Sequence, residues 1–235
     1  GTTGRYDHRP TDADPSLSGL QGMLAAAAGI GQNQPLPHWI TRLHLAVRVD
    51  QPGVHLTDYH TVNQPPSRRY RHLTEQDQKG VFTVAQEQRD RKGRPLRKNM
   101  TVVSMRGYRA DTTYLIAIAD HTGDVTATLT SPSWALYAGR KSCPLTEPFL
   151  LGHTTDRPET ALGTVPTVDP KAGDGPVARR AVLFADPGDA TRTEDRNDRL
   201  IGSRRHRIQR RWHTTVTCPT AADWFDIMDL LKDAA

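Results

Sequence analysis

The chain has 235 residues, 36% of them hydrophobic, and 31 Lys and Arg against 26 Asp and Glu give a formal charge of +5. That length buries a real core and excludes a small disulfide-stapled scaffold, while the basic balance suits a polyanionic partner without naming one. With 18 Gly, 17 Pro and two cysteines that form no CxxC pair, long irregular connections and a reducing, cytoplasmic setting are expected, with no metal site and no cofactor. The longest apolar stretch, 20–30, is broken by Gln21, Gly22 and Gly29 and is too short to span a bilayer. It lacks a basic leader and cleavage site, so no signal peptide is predicted. The sequence opens on Gly1 rather than Met, and further residues are expected before it.

Asp14-Pro15-Ser16 predicts an N-cap followed by proline at the first helical position; Leu17, Leu20, Leu24, Ala27 and Ala28 then recur at helical spacing up to Gly29 or Gly31. From Leu43 the period becomes two. Leu43, Leu45, Val47 and Val49 alternate with His44, Ala46, Arg48 and Asp50, which predicts a strand with one buried face. Gln51-Pro52-Gly53 predicts a turn, and Val54 to Val62 a returning strand with Asp58, Tyr59 and His60 near its end. Residues 88–99 hold Arg89, Arg91, Lys92, Arg94, Arg97 and Lys98; β-prone flanks at 81–84 and 100–103 predict a projecting hairpin with a charged tip. Tyr114 to Ala119 predicts a buried strand. Val125 to Thr130 alternates like a strand, with a Thr-rich helix left open by the pattern. Residues 157–175, rich in Pro, Gly, Asp and Thr, predict a linker to a smaller unit. That unit would hold a strand over 177–184, a charged loop over 186–198, a basic run over 199–211 and a strand over 214–217. A closing helix would be capped by Thr220 or Asp223, with Trp224, Ile227, Met228 and Leu231 on one face.

The segment from Tyr137 to Leu145 is the most informative local motif. Gly139 permits a tight turn, Arg140 and Lys141 supply adjacent cations, Ser142 adds a hydroxyl beside Cys143, and successive amides in such a turn converge on a phosphate oxygen. An ordinary turn with two solvated cations is the competing reading, and the absence of GxxxxGK[ST] argues against a nucleoside-triphosphate site. Arg106-Gly107-Tyr108-Arg109 interleaves a stacking aromatic with two guanidinium groups, against a bland alternative of solvated arginines around a partly buried Tyr. Arg204, Arg205, His206, Arg207, Arg210 and Arg211 form a further charge run, and such runs are usually solvated faces. Four basic patches together favour nucleic acid. His60, beside Asp58 and Tyr59, is the one acid–base candidate: its imidazole could move a proton from an RNA 2′-hydroxyl, although a hydrogen-bonded structural His is commoner. HExxH, GxSxG and Cys/His nucleophile patterns are absent from the sequence.

Taken in order, the segments 5–11, Ser18-Gly19 through Ala27, Asp58 through Val62, Arg106 through Asp111, and Leu136 through Leu145 followed by Pro148-Phe149 and Gly152 resemble the CasD-type RAMP subunits of Cascade, the type I-E CRISPR surveillance complex. The likeness spans most of 5–152 and only weakly the Arg-rich C-terminal part. It implies an α+β fold: a ferredoxin-like, RRM-related RAMP core over 1–156, a protruding β-hairpin thumb inserted at about 63–103, and a smaller C-terminal β-rich portion over 176–235. The implied role is noncatalytic RNA binding in antiviral defence, holding the 5′ handle of the CRISPR RNA without a cofactor. Implied RNA contacts are Tyr137, Gly139, Arg140, Lys141, Ser142 and Cys143, then Arg106, Tyr108 and Arg109, then Ser18 and Gly19. The thumb cations Arg89, Arg91, Lys92, Arg94, Arg97 and Lys98 would meet a Cascade backbone subunit. The resemblance also implies a helix over 125–132, and a first strand with a Gly-rich loop ahead of Arg5 that the sequence begins too late to contain. A separate possibility is that Arg204, Arg205 and Arg207 grip target DNA or the Cascade large subunit. The alternative activity is a metal-independent endoribonuclease that processes CRISPR repeat RNA through His60.

Overall fold

The structure, a computed structural model, describes residues 8–31, 34–64, 100–146, 148–169, 175–199 and 206–233. The cations at 89–98 and Arg204 and Arg205 lie outside the described residues. In chain order the elements are β1 (His8–Arg9), α1 (Leu17–Ala27), α2 (His38–Thr41), β2 (Leu45–Gln51), β3 (Val54–Gln64), β4 (Met100–Ala110), β5 (Thr113–Ile118), α3 (Asp124–Thr130), α4 (Pro158–Thr164), β6 (Thr167–Val168), β7 (Val177–Leu183), β8 (Arg192–Arg199), β9 (His206–Cys218), β10 (Thr220–Ala221) and α5 (Trp224–Asp233). Two compact units result, one from residues 12–55 with 109 onward, the other from 56–108 with 8–11.

The first unit is built on an antiparallel five-stranded sheet in the order β5-β2-β7-β9-β8. Strands from both sides of 157–175 share it, so that connection joins neighbours in one sheet instead of leading to a separate C-terminal unit. Nor is the connection a plain linker. Pro158 starts α4 at its first turn, and Ala161, Leu162 and Val165 are buried. The second unit holds a three-stranded sheet, β1-β4-β3, in which β1 runs parallel to β4.

In the first unit, α1 covers one face of the sheet: Leu17 and Leu20 pack with Leu45, Val47 and Val182. Its N-cap is Ser16, whose hydroxyl accepts the Gly19 amide at 3.0 Å, rather than Asp14. Asp14 instead accepts from both terminal nitrogens of Arg180. The opposite face is covered as well, because Leu162 of α4 packs on Ala46, Ala181 and Leu183, and α5 sets Ile227 and Leu231 against Ala161 and Val165. β2 is therefore buried on both faces from Leu45 to Asp50, against the one-faced expectation. Arg48 lies inside with no exposed surface. Its Nε donates to Asp50 Oδ1 at 2.6 Å and its Nη2 to Oδ2 at 3.1 Å, while the terminal nitrogens also donate to the carbonyls of Leu162, Val165 and Pro166. Those carbonyls belong to the last turn of α4 and the residues just beyond it, where helical partners run out.

Residues 125–130 are helical, as the family resemblance implies and the alternation does not. Val125 packs against Leu24 and Ile40, and the Asp120 carboxylate accepts the Thr126 amide at 2.8 Å. Burial works against that carboxylate's charge, yet the amides of Thr126, Val125 and Gly123 hold it below the usual range. β8 occupies much of the expected charged loop, and β5 is a half-buried edge strand instead of a buried one. α5 is capped by Asp223, which accepts the amides of Phe225 and Asp226 at 2.8 and 3.0 Å.

On β9, the buried His213 sets a pH dependence. Burial pushes its imidazole below the ordinary value, with Arg180 and Arg192 in the same direction and the Asp14 and Glu194 carboxylates opposing. The unfolded chain then takes up this proton first, so stability present above about pH 6.5 falls as the solution is acidified. Urea titrations at pH 7 and pH 5 should show a lower midpoint in acid, and His213→Asn should shrink the difference. An unchanged gap would remove His213 as its source.

Candidate nucleic-acid interface

Tyr137 and Pro144 form an isolated antiparallel bridge that closes a short loop in the first unit. Inside it the Ala138 amide donates to Cys143 O at 2.8 Å, Gly139 to Tyr137 O at 2.9 Å, and Cys143 to Arg140 O at 2.8 Å. The last bond defines a β-turn with Lys141 and Ser142 at its two central positions. Gly139 enters it at φ +77° with nothing within 4 Å of where a Cβ would stand, so glycine serves the backbone angle rather than a tight space. Among the described residues, no acceptor takes the Lys141 and Ser142 amides and no carboxylate pairs with the Lys141 ammonium. Gly139, Lys141 and Ser142 are exposed, with Arg140, Cys143 and Tyr137 half-buried. Residues 131–146 contain no Asp or Glu, and Glu147 follows them. Amides without an acceptor, a hydroxyl and two adjacent cations on an exposed turn can together hold a phosphate.

A family model described as CRISPR-associated protein (Cas_Cas5) matches residues 1–215. The chain belongs to the Cas5 family. The CRISPR system Cascade subunit CasD of Escherichia coli (strain K12) is 30% identical over 152 residues, 61% of each chain, so this Cas5-family chain spans about three-fifths of that relative's length. A solved structure described as a CRISPR RNA-guided surveillance complex contains a chain that superposes with a TM-score of 0.68 at 22% identity, covering 99% of this chain and 94% of that one. A second, described as a crystal structure of a Cas protein, gives 0.56 at 22% identity over 95% and 93%. Both structures share the fold.

The remaining candidates of this Cas5-family chain fall in different settings. Arg106-Gly107-Tyr108-Arg109 lies within β4, just ahead of β5, and along β4 successive side chains alternate. Arg106 and Tyr108 share one face, with Arg106 in register with Arg9 of β1, while Arg109 turns the other way and donates to Pro52 O at 3.0 Å. Ser18 and Gly19 start α1. Ser18 donates its amide to Asp198 at 3.0 Å and its hydroxyl to the same carboxylate, tying the helix to β8. A phosphate arriving there would meet that carboxylate.

The described part of the Arg-rich run is engaged within the sheet. Arg207 is half-buried in register with Asp198, and Arg210 grips Asp195 at 2.7 and 3.0 Å. Arg211 is 2% exposed, with its guanidinium 5.9 Å from the Phe184 ring centroid. On β3, His60 Nε2 stands 2.5 Å from Asp58 Oδ2. Among the described residues no cluster of His, Cys, Asp or Glu could hold a metal ion, and no helix is long and apolar enough to cross a membrane. The sequence pattern did not single out Trp134, half-exposed three residues before Tyr137; a Trp in a Ser- and Pro-rich stretch was its only signal.

Proposed function

We propose that this chain is a noncatalytic subunit of a type I-E, Cascade-type CRISPR surveillance complex. In this role it holds the 5′ handle of the CRISPR RNA and caps the backbone of the complex. The supporting observation is the Tyr137–Pro144 loop, whose exposed turn carries two cations and two amides that meet no acceptor among the described residues. Phosphate contacts there would set the position of the RNA, and stacking or edge contacts on unpaired bases would add any sequence preference. Arg106 and Tyr108 on β4 would also contact RNA, and Ser18 and Gly19, in the first turn of α1, would do so only where Asp198 releases the Ser18 amide and hydroxyl. The order α1-β2-β5-α3, with β2 and β5 antiparallel neighbours, supports a ferredoxin-like core, while most of the expected thumb, residues 65–99, lies outside the described residues. Arg207, with Arg204 and Arg205, would face target DNA or the large subunit, although its register opposite Asp198 weakens its field.

One contact favours a second activity. His60 against Asp58 is an acid–base pair of the kind that activates a ribose hydroxyl, which would make the protein an endoribonuclease for CRISPR repeat RNA. Purified protein incubated with end-labelled repeat RNA in excess chelator, alongside His60→Ala, distinguishes the two on a denaturing gel. Intact RNA in every lane, with filter retention that depends on Arg140 and Lys141, is the expected result. Cleavage at a single position, abolished by His60→Ala, would overturn the noncatalytic role.

A further inference from the structure

We infer that Trp134, three residues before the phosphate loop, is a base-stacking platform for the same single strand: phosphate on the Lys141–Ser142 turn, an unpaired base of that strand on the indole. This rests on the loop being the phosphate site proposed above. Trp134 leaves 50% of its surface exposed, an unusual state for a side chain whose large apolar rings normally pack. Its backbone is nevertheless anchored. The neighbouring Ser133 amide donates to Ala27 O at 2.7 Å, at the end of α1 where carbonyls lack helical partners. A Cβ on Gly29 would lie 3.1 Å from the Ser133 side chain, so the chain here is packed closely against that helix end. An aromatic presented from a held backbone loses little freedom when a ligand stacks on it.

Position and charge then select the ligand. Seven residues carry the chain from Trp134 to Lys141, a reach of at most about 25 Å, which a few nucleotides of single strand cover. The 131–146 stretch adds Arg140 and Lys141, and the first carboxylate after it in the chain is Glu147, three residues beyond Pro144. The contrast is Phe225, 70% exposed on α5 but flanked by Asp223, Asp226 and Asp229, a setting that suits a protein and opposes RNA. Every base has a π-face, so Trp134 contributes affinity for an unpaired base without selecting its identity.

The test measures binding of two probes of equal charge and length, about eight units: an adenosine RNA and a backbone of tetrahydrofuran spacers that lacks bases. Wild type should bind the RNA at least ~5-fold more tightly than the base-free chain, with quenched tryptophan fluorescence. Trp134→Ala should abolish that ratio while leaving the base-free affinity unchanged, and Trp134→Phe should keep part of it. A ratio that survives Trp134→Ala overturns the inference and reassigns the exposed indole to a protein partner. If binding of both probes is absent or indifferent to Arg140→Gln with Lys141→Gln, the phosphate site itself fails, and the stacking platform with it.

Discussion

Arg48→Met should be the most destabilising single substitution in the first unit, at about 3–5 kcal/mol, because it leaves Asp50 as an unpaired charge in the core. The Met side chain has comparable length but offers no donors. Asp50 Oδ1 and Oδ2, together with the carbonyls of Leu162, Val165 and Pro166, would lose the guanidinium that now satisfies them. For a domain of this size the loss corresponds to a fall in Tm of roughly ten degrees or more. The double variant Arg48→Met with Asp50→Leu should recover much of it, since removing both ends of a buried pair is far cheaper than removing one. Thermal or urea unfolding of the four proteins gives the coupling directly. A single variant within about 1 kcal/mol of wild type would mean that water reaches Asp50 and that the pair does not pin the end of α4.

That pair also shows where the sequence stopped being legible. Leu45, Val47 and Val49 announce one apolar face correctly, but alternation alone makes Arg48 and Asp50 look like solvent positions. Only the arrival of α4 on that face buries them, and α4 is seven residues of Pro-Glu-Thr-Ala-Leu-Gly-Thr inside a loop-like composition. β8 was hidden for a related reason. Arg-Thr-Glu-Asp-Arg-Asn-Asp-Arg has no apolar residue to carry a period, and it forms a strand because β9 supplies a ladder and opposite charges, with Asp195 on Arg210 and Asp198 opposite Arg207. The 125–130 helix lost its signal to β-branched Thr and Val, whose propensity the packing of Val125 overrides. Arg106 and Arg109 read as one patch in a string, yet on β4 their odd spacing sends them to opposite faces. The Tyr137–Pro144 loop was the most legible feature, because glycine, two cations and proline act within a few bonds of one another and need no distant element to complete them.

Arg140→Gln with Lys141→Gln should lower affinity for single-stranded RNA by roughly tenfold per charge at low salt, as expected when charge-assisted phosphate contacts are lost. The sharper readout is the salt slope. Each phosphate contact on a single strand contributes about −0.7 to d log K/d log [salt], so the double variant should flatten the slope by about 1.4. Gly139→Val separates charge from shape. It keeps both cations but places a β-branched residue at φ +77°, a backbone angle that such residues resist, so the turn must reopen and re-aim the Lys141 and Ser142 amides. Affinity should then fall with much less change in slope than in the double variant. If the charge variants left the slope intact, Arg140 and Lys141 would not touch phosphate. If Gly139→Val bound as wild type, the amides would contribute nothing beyond the two cations, and the loop would act as a charged surface rather than a shaped cradle.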